Sequence, residues 1–239
     1  MSRLITRCVC NFEGPFPEFV ASTGLPVAEC EHCGVLHQIT DIAAAEVHAQ
    51  YLGPYHSAAD RHPGCVPYAA RYEHDLQVSA KRWDRYEQLL NGRLTVPYFY
   101  ALDVGAANGA WIDYLRKDRR LMALGVDPDL AMTRDAVMHG TIQSIDGEFS
   151  LVTYHDVLEH VVNPLAELTH ARARVRPGGV IVLDVPDVFG GRGDHHYKTE
   201  HIWFFNEDSL RSLLERADFR PLAADRPIPG KMVVYGEAI

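Results

Sequence analysis

Two hydrophobic patterns divide the chain. From Tyr98 onward, short continuous apolar runs alternate with amphipathic stretches, predicting strands at Tyr98–Val104, Leu121–Val126, Gly140–Ile145, Phe149–Tyr154 and Gly179–Val185. Helices are predicted to open near Ala110, Asp129, Asn163 and Asn206. Runs that are apolar throughout mark strands covered on both faces, so the alternation predicts a doubly wound, mostly parallel α/β sheet. Two further strands, Phe219–Ala224 and Met232–Ala238, are joined by the Pro/Gly loop Asp225-Arg226-Pro227-Ile228-Pro229-Gly230. That loop is too short for a parallel crossover, so the last of the seven strands is expected to run antiparallel.

The first part of the chain reads differently. Arg71 to Leu90 contains no Gly or Pro and sets Leu76, Trp83, Tyr86 and Leu90 at helical spacings, with Asn91-Gly92 as a stop signal. Before it, Tyr51-Leu52-Gly53-Pro54-Tyr55-His56 and the stretch through Pro67 read as loop. The expected division is a small appendage over residues 1–45, a linking and capping segment over 46–95, and the α/β domain over 96–239.

The cysteines give the appendage a chemistry. Four of the five lie in two hooks, Cys8-Val9-Cys10 and Cys30-Glu31-His32-Cys33-Gly34. In a reducing compartment such clustering points to metal rather than disulfide, and four thiolates suit one tetrahedral Zn²⁺. The second hook has the usual two-residue spacing and the first is one residue short, so His32 or His37 is an alternative fourth ligand. Unliganded, buried cysteines are the competing reading. A site with four protein ligands has no open position and is structural. Cys65 stands alone and is read as core packing or a surface accident rather than a catalytic thiol.

Composition narrows the partners. The chain has 239 residues, with Lys+Arg 23 against Asp+Glu 32 for a net charge of -9. An acidic balance disfavours nucleic-acid backbone binding, which depends on Lys and Arg. No apolar run reaches the length of a signal peptide or a membrane span, so a soluble, cytoplasmic protein is expected.

The ligand motifs sit where the first two strands end. Leu102-Asp103-Val104-Gly105-Ala106-Ala107-Asn108-Gly109 runs directly into a helix, and a Gly-rich turn there lets a ligand approach the backbone. The spacing is not G-x-G-x-x-G, which counts against a nicotinamide dehydrogenase. Asp103 would repel a pyrophosphate but welcome an ammonium group. Gly125-Val126-Asp127-Pro128 closes the second strand with a carboxylate placed to accept hydrogen bonds from a ribose diol. One carboxylate for an amine and one for a ribose make a binding code for an adenosyl amino acid.

With these motifs the chain resembles the class I S-adenosylmethionine-dependent methyltransferases over roughly residues 98–239. The resemblance continues through Tyr154-His155-Asp156-Val157-Leu158-Glu159-His160-Val161 and Arg174-Val175-Arg176-Pro177-Gly178-Gly179. Glu200-His201-Ile202-Trp203-Phe204-Phe205, with Ser209-Leu210 and Ala217-Asp218-Phe219, is similar to a subgroup that carries an N-terminal zinc knuckle. That subgroup acts on deoxysugars and other natural-product intermediates. The resemblance implies a cofactor site formed by Asp103, Gly105, Ala106, Gly109, Asp127, Pro128, Ile142, Gln143 and His155. It also implies a small-molecule acceptor methylated on O, N or C.

An acceptor hydroxyl or carbon acid needs a base, and histidine titrates near neutrality. His201 leads the candidates, with His160 and His196 behind it; each also has a plainer reading as a structural or solvated group. Tyr51 and Tyr55 are candidates to close over the cofactor, with packing as the alternative. Trp203-Phe204-Phe205 reads as core or pocket wall. Two other functions remain open: a cofactor-binding protein that catalyses a non-methylating reaction, and a zinc-knuckle module that recruits a partner.

Overall fold

The structure, a computed structural model, describes residues 5–39, 68–94, 98–190 and 197–239. The central sheet has seven strands: β4 (Tyr100–Val104), β5 (Met122–Asp127), β6 (Val137–His139), β7 (Phe149–His155), β8 (Val175–Pro186), β10 (Phe219–Asp225) and β11 (Lys231–Ala238), in the order β10-β11-β8-β7-β4-β5-β6. The contacts of β4 with β5 and β7, β5 with β6, and β7 with β8 are parallel. The last strand, β11, runs antiparallel to both β8 and β10, as its short loop requires.

Alternate residues of each strand feed two different cores. On one face Val180, Val182, Leu151 and Tyr235 pack with Trp83, Tyr86 and Trp111. On the other, Ile181, Leu183, Val152 and Tyr154 pack with Leu168, Leu210 and Leu213. The first face is covered by α1 (Tyr72–Leu90), which buries Ser79, Trp83, Tyr86 and Leu90 along one stripe and stops at the left-handed Asn91. It shares that face with α2 (Ala110–Lys117). Covering the second face are α3 (Pro164–Arg172), with Pro164 in its first turn, and α4 (Glu207–Arg216). Asn206 caps α4 reciprocally with Ser209.

Two elements depart from the sequence reading. The third strand is Val137–His139, and Gly140–Ile145 instead contains a single 3₁₀ turn at Ile142–Ser144. Gly140 turns the backbone at φ 145°, and Ile142 and Ile145 then bury together three residues apart, an apolar pairing that suits a turn as well as a strand. The helix expected from Asp129 is only the 3₁₀ turn Leu130–Met132. The Asp129 side chain takes the Ala131 N–H at 2.9 Å, and Leu130 is 66% exposed, so no apolar stripe sustains a helix.

A second, four-stranded sheet holds β1 (Glu18–Val20), β2 (Pro26–Glu29), β3 (Leu36–Gln38) and β9 (Trp203–Phe204), in that order. Its members come from opposite ends of the chain: Leu36 pairs with Phe204 and His37 with Trp203. The Trp203–Phe205 segment is buried, as expected of core, and it is also the edge on which the cysteine-bearing hairpin docks. Among the described residues no helix is long and apolar enough to cross a membrane.

Candidate active site

A cavity of about 630 Å³ opens at the carboxyl ends of β4, β5, β7 and β8, where open α/β sheets bind ligands. Its first end is built on the β4–α2 turn. Gly105 adopts φ 74°, and a Cβ there would lie 2.4 Å from Val157 Cγ2. Positive φ and the close approach of Val157 both require glycine at this position. The N–H groups of Gly105 and Ala106 donate to the Val126 carbonyl at 2.8 and 3.1 Å, locking the turn against the end of β5.

Two carboxylates face this turn, and both are buried. Asp103 accepts from Thr153 Oγ1 at 2.6 Å and lies 3.1 Å from His155 Nδ1. His155 Nε2 meets the Tyr86 hydroxyl at 2.9 Å, which links α1 through His155 to Asp103. Asp127 accepts the Ala107 N–H on one oxygen and the Asp129 N–H on the other, both at 2.8 Å. Burial pushes its carboxyl up to about 6, against the pull of those two amides.

The sequence-derived cofactor residues divide on placement. Asp103, Gly105, Ala106, Asp127, Pro128, Gln143 and His155 line the cavity. Gly109 opens α2 at φ 71°, beside Val137 and Arg134. Ile142 is fully buried in the core and does not reach the cavity wall.

At the other end stand Glu159, His160 and His201. The loop before β9 is stitched onto the turn after β7: the Ile202 N–H donates to the Glu159 carbonyl at 2.8 Å, and Trp203 Nε1 donates to the Val161 carbonyl at 3.0 Å. His160 Nδ1 bonds the Glu200 carbonyl at 2.8 Å, and the two imidazoles meet edge to face with centroids 4.8 Å apart. Burial lowers His160 to about 4, so its ring is neutral at physiological pH. Burial likewise raises Glu159 well above the usual carboxyl range. His195 and His196, together with Tyr51, Tyr55 and Cys65, lie outside the described residues.

Several cavity residues were not singled out in the sequence. Arg71, the residue that caps α1, and Asp75, Ser79 and Arg82 within it line the cavity, about one turn apart. Arg82 pairs with Asp184 at 3.2 Å, and Asp75 accepts from Asn108 Nδ2 at 2.7 Å. Their polar spacing beside the apolar stripe was the available signal. Glu159 sits inside a quoted motif, yet it carries no role by type or spacing alone.

The cysteines converge. The ligand atoms of Cys8, Cys10, Cys30 and Cys33 all lie within 4.8 Å of one another, and the group includes neither His32 nor His37. Cys8 and Cys33 sulfurs are 3.5 Å apart and those of Cys10 and Cys30 3.6 Å. Thiolates around a tetrahedral Zn²⁺ with Zn–S near ~2.3 Å would stand ~3.8 Å apart, so the donor set fits. Gly34, at φ 68°, closes the second hook by donating to the Cys30 carbonyl at 2.7 Å. The α4 cap Asn206 donates to the Cys33 carbonyl at 2.8 Å, tying the cluster to the main domain.

The turn at Gly105, the paired carboxylates and the strand order describe one class of protein, and the match at the level of sequence agrees. A methyltransferase-domain family profile matches residues 72–224, and the chain belongs to that family. A tRNA U34 carboxymethyltransferase from Psychromonas ingrahamii is 27% identical over 161 residues, 58% of this chain. The chain spans about half of that relative, 48% of its length. Among solved structures, the 1,6-didemethyltoxoflavin-N1-methyltransferase of Burkholderia thailandensis, with bound 1,6-didemethyltoxoflavin and S-adenosylhomocysteine, aligns over 92% of this chain and 98% of its own, with TM-score 0.59 and 18% identity. The magnesium protoporphyrin IX methyltransferase of Synechocystis PCC 6803, with bound S-adenosylhomocysteine, covers 82% of this chain and 100% of its own at TM-score 0.58 and 14% identity. These structural likenesses establish the fold.

Proposed function

We propose that the chain transfers a methyl group from S-adenosylmethionine to a small-molecule acceptor in natural-product, nucleotide-sugar or surface-glycan biosynthesis. One observation carries this reading: one cavity is lined both by Asp103, Gly105 and Asp127 and by Glu159, His160 and His201. When bound, the cofactor supplies a positively charged sulfonium carbon open to in-line attack. Asp103 holds the amino group, steadied by Thr153 and His155. Asp127, oriented by the Ala107 and Asp129 N–H groups, turns its carboxylate to the ribose hydroxyls. His201, or failing that His160 or His196, holds the acceptor or takes its proton, which with alignment is the main work left to the protein.

A cavity of about 630 Å³ suits a cofactor with a modest acceptor. The resemblance of Glu200–Phe205 to the deoxysugar subgroup and the four-cysteine cluster, read as a structural Zn²⁺ site, support the same class. The name of the curated relative favours a second reading, transfer of a carboxymethyl group to RNA. A net charge of -9 weighs against an RNA acceptor.

The test is transfer of label from S-adenosyl-[methyl-¹⁴C]methionine to two pools, nucleoside-diphosphate sugars with bacterial small-molecule extracts, and bulk tRNA. Label in the small-molecule pool is expected. Label in tRNA alone would make RNA the acceptor, and transfer to tRNA from a donor whose sulfonium carries a labelled carboxymethyl group would replace this reading with the second. Calorimetry showing that the purified chain does not bind S-adenosylhomocysteine would remove both.

A further inference from the structure

We propose that Glu159, His160 and His201 form a divalent-cation site at the acceptor end of the cavity, and that the cation holds an acceptor oxygen. The inference rests on the methyltransferase reading above and deepens it by assigning oxygen as the methylated atom.

Three observations converge. One ligand atom from each of the three side chains lies within 4.8 Å of the others, and all three residues line the cavity. Glu159 is 1% exposed, and neither of its carboxylate oxygens has a hydrogen-bond partner among the described residues. Both oxygens of a buried carboxylate left unpartnered are costly, and a cation is one of the few groups that satisfies them together. Lys231, on the same wall, is committed to Asp156 and to Asp184 at 3.4 Å and does not bond Glu159.

The third observation is the orientation of His160. Its Nδ1 meets the Glu200 carbonyl at 2.8 Å, so Nδ1 carries the proton and donates. The lone pair is thereby placed on Nε2, which lies 3.8 Å from Glu159 Oε1. A backbone carbonyl fixing the tautomer so that the other nitrogen points at its target is the usual outer shell of a metal-binding histidine.

Two imidazoles and one carboxylate suit a borderline divalent cation, Mn²⁺, Fe²⁺, Co²⁺ or Zn²⁺, better than Mg²⁺. Three protein ligands leave positions open to the cavity. An acceptor hydroxyl coordinated there loses its proton more easily, and that proton passes to cavity water. The oxygen lone pair then forms the bond to the methyl carbon as the carbon–sulfur bond breaks, and sulfur keeps the electron pair. An acceptor with a second oxygen next to the first would chelate and be preferred.

Mn²⁺ separates this site from the cysteine cluster, because a hard cation avoids four thiolates. Electron paramagnetic resonance titration of the full chain is expected to show one saturable Mn²⁺ site. With S-adenosyl-[methyl-¹³C]methionine bound, that Mn²⁺ should broaden the methyl resonance. Glu159→Gln and His201→Gln should each weaken Mn²⁺ binding at least about tenfold, with S-adenosylhomocysteine binding serving as the check that each variant folds. Should Glu159→Gln fail that check, His201→Gln and His160→Gln carry the test. Absence of saturable Mn²⁺ uptake, or uptake unaffected in the folded variants, overturns the cation site. Loss of cofactor binding in the wild-type chain would instead overturn the methyltransferase reading beneath it.

Discussion

The two ends of the cavity treat their carboxylates in opposite ways. At the cofactor end, Asp103 and Asp127 are buried but spoken for: a threonine hydroxyl, a histidine and two backbone amides reach them. At the acceptor end, Glu159 is equally buried and its carboxylate oxygens have no hydrogen-bond partner among the described residues. A carboxylate held by several donors is oriented before any ligand arrives, which favours tight and repeatable binding of one invariant molecule. A carboxylate without donors keeps its full cost of burial until a proton, a cation or a substrate group meets it. Under the proposed function, preorganisation marks the end that holds the donor, and unsatisfied polarity marks the end where the acceptor is met.

The largest effect expected from breaking this comparison lies at the acceptor end. His201→Ala should lower kcat by about 10²–10⁴-fold if the ring accepts the proton, with cofactor affinity nearly unchanged. A rise in KM with kcat preserved would show that His201 only binds the acceptor. Steady-state kinetics with the acceptor found in the labelling experiment decides between them.

Damage at the cofactor end should be smaller and should appear in binding. Asp127→Ala is expected to cost about 1–3 kcal/mol in S-adenosylhomocysteine affinity, measured by calorimetry. The same carboxyl gives a pH dependence whose sign is set by its displacement to about 6. Below that pH the group takes up a proton and accepts ribose hydroxyls less well, so affinity should fall as pH drops from 7 to 5. The fall should be at most about tenfold per pH unit, and Asp127→Asn should flatten it. An unchanged slope in that variant would remove Asp127 from the ribose contact.

The smallest expected effect is the most remote. One Zn²⁺ per chain is expected by elemental analysis, and chelation should loosen the cysteine hairpin while the seven-stranded sheet persists. Because Gln38 N–H donates to the Ile202 carbonyl at 2.8 Å, and its side-chain amide reaches the Thr199 and His201 carbonyls at 3.0 and 3.2 Å, the loosening should reach the acceptor wall. Hydrogen exchange at the Gln38 and Ile202 amides should rise several-fold, roughly 1 kcal/mol of lost protection. Exchange that rises only before residue 36 would confine the cluster to a local role.

The sequence by itself determined what depends on neighbours along the chain. Continuous apolar runs carried the parallel strands, the short Pro/Gly loop decided that β11 runs antiparallel, and Asn206 with Ser209 set the start of α4. The Asp103–Gly109 turn and Asp127 were legible for the same reason, since turn chemistry and strand ends are local. The third strand was misplaced by a few residues because Ile142 and Ile145 bury as well from a turn as from a strand.

Only the tertiary structure decided what depends on residues far apart. It laid β3 against β9, brought the Asp75–Arg82 side of α1 to the cavity, and left Glu159 beside two histidines with no donor for its carboxylate oxygens among the described residues. Hydrophobic period and turn residues write the elements. Whether a buried polar atom finds a partner is a property of the packed whole, because that partner comes from a distant segment or from none.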